Sequence, residues 1–227
     1  MKKLLTRPEP AWIIAAVIAG VLLLAAVFLP LWRMELVAPQ YPEGLVLYAY
    51  GNRFEGDSGS YYDDVREING LNHYIGMKPI EPVTEMKLFI PGMVATIAGV
   101  IAVSFIGWRR NWFRALVITG VWFLPLFFIA DLQYWLYNYG HSMDPHAALN
   151  TGDFTPRVVG TTKVWNFHSE NSFDAGFYLM VLAAVTITFL PPAIRWAQTR
   201  RQRAERPLQK RTPAAAGAHG SAAGRTA

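Results

Sequence analysis

Histidine and methionine side chains are grouped in two short polar segments of the sequence. His73 and Met77 are four residues apart in LNHYIGM, so a helical turn would place them on one face. The second segment, GHSMDPH, holds His141, Met143 and His146 within six residues. This spacing of imidazole and thioether groups is typical of metal ligands, and the two segments together predict a metal site.

Copper is the metal that this donor set favours. The chain has no cysteine, which excludes thiolate metal sites and disulfides, and thioethers suit the soft Cu(I) ion. The alternative is a zinc site. Its ligands would be His141, Asp144, His146 and His168. A metal-free interpretation also stays open, in which the histidines only satisfy hydrogen bonds and the methionines pack against a membrane face.

Catalytic signatures are absent from the sequence. It contains no P-loop, no G-x-S-x-G, no H-E-x-x-H and no dinucleotide fingerprint. We therefore predict a protein without enzymatic activity. No nucleic-acid-binding motif occurs either, and no histidine lies in an apolar block, which argues against a haem held between helices.

One acidic residue interrupts the apolar blocks of the chain. Asp131 lies in FIADLQYWLY, about six residues from the end of its block. An acid inside an apolar segment is a functional candidate by default, because its burial in lipid is costly. The alternative is an acid that accepts hydrogen bonds at the membrane interface.

Four apolar blocks, each about 20 residues long, set the predicted fold. They cover residues 11–32, 86–108, 115–137 and 175–196. A helix that rises about 1.5 Å per residue crosses a hydrocarbon core of about 30 Å in that length. The sequence therefore predicts an all-α membrane protein with four transmembrane helices in a lipid bilayer.

The charges predict the orientation of these helices. Fourteen of the 21 Lys and Arg residues lie in the N-terminus, the link between blocks two and three, and the C-terminal part of the chain from Arg195 onward. The two long loops, 33–85 and 138–174, hold 13 of the 16 acidic residues. Because positive segments stay in the cytoplasm, we expect both termini inside, both loops outside, and a location in a bacterial inner membrane.

The domain organisation follows from the same pattern. We expect residues 1–196 to form one transmembrane domain with its external loops, and residues 197–227 to form a basic cytoplasmic tail that is disordered at its Ala/Gly-rich end. In the first loop, 45–50 reads as a short strand and 65–77 as a short helix or compact turn. The second loop is polar and rich in turn residues, and we expect it to be irregular.

Three loop segments carry a resemblance to a known family. They are APQYPEGL (38–45), EINGLNHYIGM (67–77) and YGHSMDPHA (139–147). They resemble segments of a family of small polytopic bacterial membrane proteins, which is associated with the gene neighbourhood of nitrous oxide reductase and its copper-maturation proteins. The likeness covers short parts of both loops, and the apolar blocks match in character only. It implies a setting in copper-dependent respiration and denitrification, and it supplies no ligand residues.

Two functional hypotheses follow. The first is an accessory membrane protein whose periplasmic loops bind copper, or dock a copper protein or cytochrome, during nitrous oxide reductase maturation or electron delivery. The second is a structural subunit or scaffold of a larger membrane complex or oligomer, with no metal of its own. The acidic external face would suit a basic partner in either case.

Overall fold

The computed structural model describes residues 10–105, 111–149 and 152–209. Within these ranges the chain forms five helices and one five-stranded sheet. The helices are α1 (Pro10–Phe28), α2 (Asp64–Ile75), α3 (Thr84–Phe105), α4 (Asn111–His141) and α5 (Ala175–Gln209). The strands are β1 (Trp32–Ala38), β2 (Tyr41–Ala49), β3 (Phe54–Gly56), β4 (Gly160–Val164) and β5 (Phe167–Phe173).

Four long apolar helices form a bundle. In the described part of the chain, α1, α3, α4 and α5 are long and apolar enough to cross a membrane. The most extensive contact between helices is that of α1 with α5, and both helices bury small side chains: Ala15, Ala19, Ala183 and Ala184. Small residues let two helix backbones approach closely, which is how helices associate where water provides no driving force.

The prediction of an all-α fold is wrong, because the two predicted loops fold together into an antiparallel sheet. Its strand order is β3-β2-β1-β5-β4. The central strand β1 pairs with β2 from the same loop and with β5 from the other, where Trp32 lies opposite Phe173 and Val37 opposite His168. The second loop is therefore not irregular, since it supplies two of the five strands.

The first long helix ends earlier than the sequence predicted, and a strand follows it. The apolar block was expected to continue as helix to residue 32, but α1 ends at Phe28 and β1 begins at Trp32. Pro30 and Leu31 connect the two, and their carbonyl groups accept hydrogen bonds from Gly176 N and Asp174 N at the start of α5. Residues that were read as membrane helix thus join the bundle to the sheet.

For residues 65–77 the sequence allowed a short helix or a compact turn. The structure has the helix, α2, at Asp64–Ile75. Asp63 caps its N-terminus by accepting a hydrogen bond from Arg66 N. Its C-terminus ends at Gly76, which has φ +84, and the chain then turns so that Met77 N donates to Asn72 O. This is a Schellman ending, for which glycine is the favoured residue.

Hydrogen bonds tie α2 to the sheet. Asp64 is buried, and its carboxylate accepts hydrogen bonds from Val46 N, Asp57 N and Ser60 Oγ. The hydroxyl of Tyr41 donates to the Glu67 carboxylate, and this hydrogen bond raises the pKa of Tyr41. The apolar face of α2, with Ile68 and Ile75 buried, packs beneath the strands.

The beginning of the predicted tail continues α5. This helix runs to Gln209 without a break at Pro191 and Pro192, so residues 197–209 are helical. The Ala/Gly-rich end that was predicted to be disordered lies outside the described residues.

Candidate functional site

The two segments that carry the predicted ligands lie side by side. Asp144 N donates a 2.8 Å hydrogen bond to Gly76 O, and Leu149 N donates a 3.2 Å hydrogen bond to Tyr74 O. A Cβ atom at Gly76 would lie 2.7 Å from Cβ of Ala147, so only glycine allows this approach. These two hydrogen bonds join the end of α2 to residues 142–149, and we call the joined region the loop junction.

Three predicted ligands share the surface of the loop junction. His73, Asp144 and His146 are all exposed. The backbone N–H of His146 donates to Asp144 Oδ1 at 2.8 Å, and the imidazole Nδ1 of His146 lies 3.4 Å from the same oxygen. The hydrogen bond from His146, followed by the charges of His146 and His73, holds the pKa of the Asp144 carboxyl below its ordinary value. Three of the ligands predicted from the sequence pattern therefore lie on one surface.

His141 ends α4 in an arrangement that suits a metal ligand. Its Nδ1 lies 2.9 Å from the carbonyl oxygen of Tyr137, and its ring stacks on the ring of Tyr137 with centroids 4.0 Å apart. A carbonyl can only accept, so Nδ1 carries the proton and Nε2 keeps its lone pair. Metal-bound histidines commonly have this second contact, which fixes the tautomer.

Met77 and His168 do not join this group. The helix ends at Gly76, so the chain turns before Met77 can share a face with His73. Met77 lines an internal cavity, whereas His73 is exposed. His168 lies on β5 opposite Val37 of β1 and Lys163 of β4, and it is exposed.

The predicted ligands do not converge on one point. No three His, Asp or Glu residues lie close enough to hold a metal ion within residues 10–105, 111–149 and 152–209. The zinc alternative needs such a group. Copper can use imidazole with thioether, and His73, Met143 and His146 belong to the two joined segments.

Asp131 lines a small cavity beside the sheet. The cavity measures about 60 Å³, and Asp131 shares it with Glu85 from the first turn of α3 and Glu81 from the segment just before that helix. We call it the acidic cavity. Sequence analysis singled out Asp131 but missed both glutamates. The signal for them was their position directly before the second apolar block, at the same end of the bundle as Asp131.

A larger cavity lies where the sheet, α2 and α4 meet, and sequence analysis did not predict it. Its volume is about 150 Å³, and its walls are mainly apolar. Those walls include Met34 and Leu47 of the sheet, Ile68 of α2 and Leu136 of α4. We call it the junction cavity. The alternation of apolar residues in WRMELVA was the available signal, because β1 directs Trp32, Met34 and Leu36 to this side.

No known family model matches this chain, and no curated protein matches it. Its function is therefore argued from its own fold and side chains.

Proposed function

We propose that this chain is an integral protein of a bacterial inner membrane, with both termini in the cytoplasm and the sheet outside. Four apolar helices of sufficient length support this proposal. The pairing of β1 with β5 requires both loops on one side, and two crossings by α3 and α4 satisfy that requirement. The excess of Lys and Arg outside the two loops favours the loops as the external parts.

Cysteine labelling tests this topology directly, because the chain has no cysteine of its own. Ser58 is exposed between β3 and α2, and Thr199 is exposed on the last part of α5. In spheroplasts, a membrane-impermeant maleimide should label the S58C variant and leave the T199C variant unlabelled until the membrane is permeabilised. Labelling of both variants, or of T199C alone, before permeabilisation would contradict the proposed orientation.

We further propose that the external domain is an accessory copper-binding module, and that the loop junction is its site. The observation that carries this proposal is the pair of backbone hydrogen bonds that joins α2 to residues 142–149. It brings the segment that carries His73 alongside the segment that carries Met143, Asp144 and His146. The exposure of His73, Asp144 and His146 suits an ion that is passed to a periplasmic partner, because a partner's ligands can reach it.

Copper affinity of single variants tests the ligand assignment. Replacing His73 or His146 by Ala should weaken Cu(I) binding by about tenfold or more, as expected when one ligand of a small set is lost. Met143→Leu should weaken Cu(I) more than Cu(II), because thioether prefers the soft ion. The measurement is competition with a chromophoric Cu(I) chelator on full-length protein in detergent.

The matched control for that measurement is His168→Ala. His168 is an exposed histidine of the same domain, on β5 and away from the loop junction. Its loss should leave copper affinity unchanged. An equal effect of His168→Ala and His73→Ala would contradict the assignment.

A second candidate function, a scaffold subunit of a membrane complex, is favoured by Trp165. This residue lies in the two-residue turn between β4 and β5, has φ +54, and is 58% exposed. It is the only non-glycine residue with a positive φ in the described ranges. A bulky side chain in that conformation is an outlier, and such outliers concentrate at functional sites.

Trp165→Gly tests the scaffold function, because glycine adopts the same backbone conformation without strain. The hairpin should therefore stay folded while the exposed ring is lost. If Trp165 docks a partner, the chain extracted from its native membrane in mild detergent should migrate in a smaller complex than the wild type does. Tyr61→Ala is the control, since Tyr61 is 95% exposed elsewhere. Unchanged migration of the Trp165 variant would argue against the scaffold function.

A further inference from the structure

The walls of the junction cavity are mainly apolar. Leu36 and Leu47 from the sheet, Leu71 and Ile75 from α2, and Leu132 and Leu136 from α4 line it. Among the described residues, no charged side chain lines it, and its few polar groups include Ser169 and Asn72. A cavity of about 150 Å³ with such walls is suited to hydrocarbon, since water there would lack hydrogen-bond partners.

The position of the junction cavity points to the membrane as the source of a ligand. Its α4 wall, from Leu132 to Tyr139, belongs to the helix segment Trp112–His141, which is apolar enough to cross a bilayer. Its opposite wall is the sheet. The cavity therefore lies where the bundle meets the external domain, within reach of molecules that leave the outer surface of the bilayer.

The acidic cavity adjoins the junction cavity. The two share Phe54, Leu132, Trp135 and Tyr139 as wall residues. The acidic cavity adds the carboxylates of Glu81, Glu85 and Asp131, and no Lys, Arg or His residue in the described part of the chain lines it. Together the two cavities offer a long apolar volume beside a group of hydrogen-bond acceptors.

Trp135 stands between the two cavities with a buried indole N–H. This Nε1 interacts with the Asp131 carboxyl one turn earlier in α4. It nevertheless forms no hydrogen bond of normal geometry within the described part of the chain. A buried donor without a full hydrogen bond is rare in proteins, and here it is placed beside the carboxylates.

We propose that the two cavities bind one amphiphile from the bilayer. Its hydrocarbon part lies in the junction cavity. Its head, a group that donates hydrogen bonds such as an amine or a hydroxyl, lies between the carboxyl groups of Glu85 and Asp131, which accept them. An anionic head is disfavoured, because it would be placed next to three carboxyl groups without a counter-charge. This site shares the end of α2 with the loop junction but uses none of its exposed histidines.

Photo-crosslinking with two matched probes tests the proposal on the full-length protein in phosphatidylcholine nanodiscs. One probe is an eight-carbon alkyl amine with a diazirine in its chain, and the other is the corresponding carboxylate. The amine probe should label peptides that contain Leu71 and Leu136. The carboxylate should label them about tenfold less, the difference expected from like-charge repulsion at a site with few counter-charges.

Two pairs of variants locate the probe. Ser169→Trp fills the junction cavity and should reduce amine labelling by about tenfold. Ser172→Trp is its control, because Ser172 lies on the exposed side of the same strand. Glu85→Gln changes no volume and should reduce the preference for the amine over the carboxylate. Glu170→Gln, an exposed acid of β5, should leave that preference unchanged.

Labelling that Ser169→Trp leaves unchanged would overturn the proposed cavity site. Equal labelling by the two probes in the wild type would overturn the proposed head-group preference. This comparison uses only the wild-type protein, so it does not depend on the folding of a variant. Either result would leave the copper proposal untouched, because none of the proposed copper ligands lines either cavity.

Discussion

Gly140→Ala is expected to destabilise the protein by about 4 kcal/mol, at the upper end of what overpacking costs. Gly140 lies in the last turn of α4, where Phe154 N donates to its carbonyl oxygen. A Cβ atom there would lie 1.8 Å from the carbonyl oxygen of Phe154 and 2.9 Å from its carbonyl carbon. A backbone group cannot rotate away as a side chain can. The segment around residue 154 must therefore move off the helix.

Gly120→Ala in the same helix is the control, since nothing lies within 4 Å of a Cβ atom at that position. Alanine is about 1 kcal/mol better than glycine inside a helix, so this variant should be as stable as the wild type or more so. Thermal unfolding of both proteins in one detergent measures the difference. A Gly140→Ala variant that unfolds at the temperature of Gly120→Ala would contradict the close contact between α4 and residue 154.

Asp64→Ala is expected to cost about 3 kcal/mol, because it removes the shared acceptor of three partly buried hydrogen bonds, each of which contributes about 1 kcal/mol. The Asp64 carboxylate accepts from Val46 N, Asp57 N and Ser60 Oγ. With only 1% of Asp64 exposed, water cannot easily replace it. The substitution should therefore loosen α2 from β2 and β3, and with it one wall of the junction cavity.

Asp63, the neighbouring acidic residue, provides a comparison for Asp64 in which a smaller loss of stability is expected. Asp63 is exposed and accepts one hydrogen bond, from Arg66 N, as the cap of α2. Loss of such a cap costs about 1 kcal/mol. Asp63→Ala should therefore lower the free energy of unfolding much less than Asp64→Ala, in the same denaturation experiment. Equal losses would mean that the three donors around Asp64 find other acceptors.

The sequence predicted the four long helices because their signal is local. Each apolar block is continuous, so each long helix can be recognised from its own residues without information about the rest of the fold. The ends were less predictable. Trp32 continues the apolar composition of the first block, yet it begins β1 after Pro30, and its indole N–H donates to Val158 O, far along the chain.

The sheet could not be predicted from local patterns, because its central pairing is distant. β1 and β5 are separated by two long helices, and β5 carries a weak strand signal. Its buried positions include Ser169 and Asn171, which interrupt the apolar alternation that identifies a half-buried strand. Asn171 fits there because its side-chain amide donates to Arg157 O.

The candidate site was predicted only in part, because spacing in the sequence identifies local groups but not contacts between distant elements. Spacing in the sequence identified His73, Asp144 and His146, which the fold brings to one surface. The pairing of His73 with Met77 depended on a continuous helix, and Gly76 ends that helix between them. The junction cavity depends on three distant elements, so no single segment could indicate it.

The copper content of the purified wild-type protein tests the central claim most directly. Full-length protein, prepared in mild detergent from copper-supplemented cells under reducing conditions, is analysed by elemental mass spectrometry. We expect about one copper per chain, since the loop junction offers one small set of soft and borderline donors, and its loss in the His73→Ala/His146→Ala double variant. Absence of copper from the folded wild type, or an unchanged content in the double variant, would contradict the account.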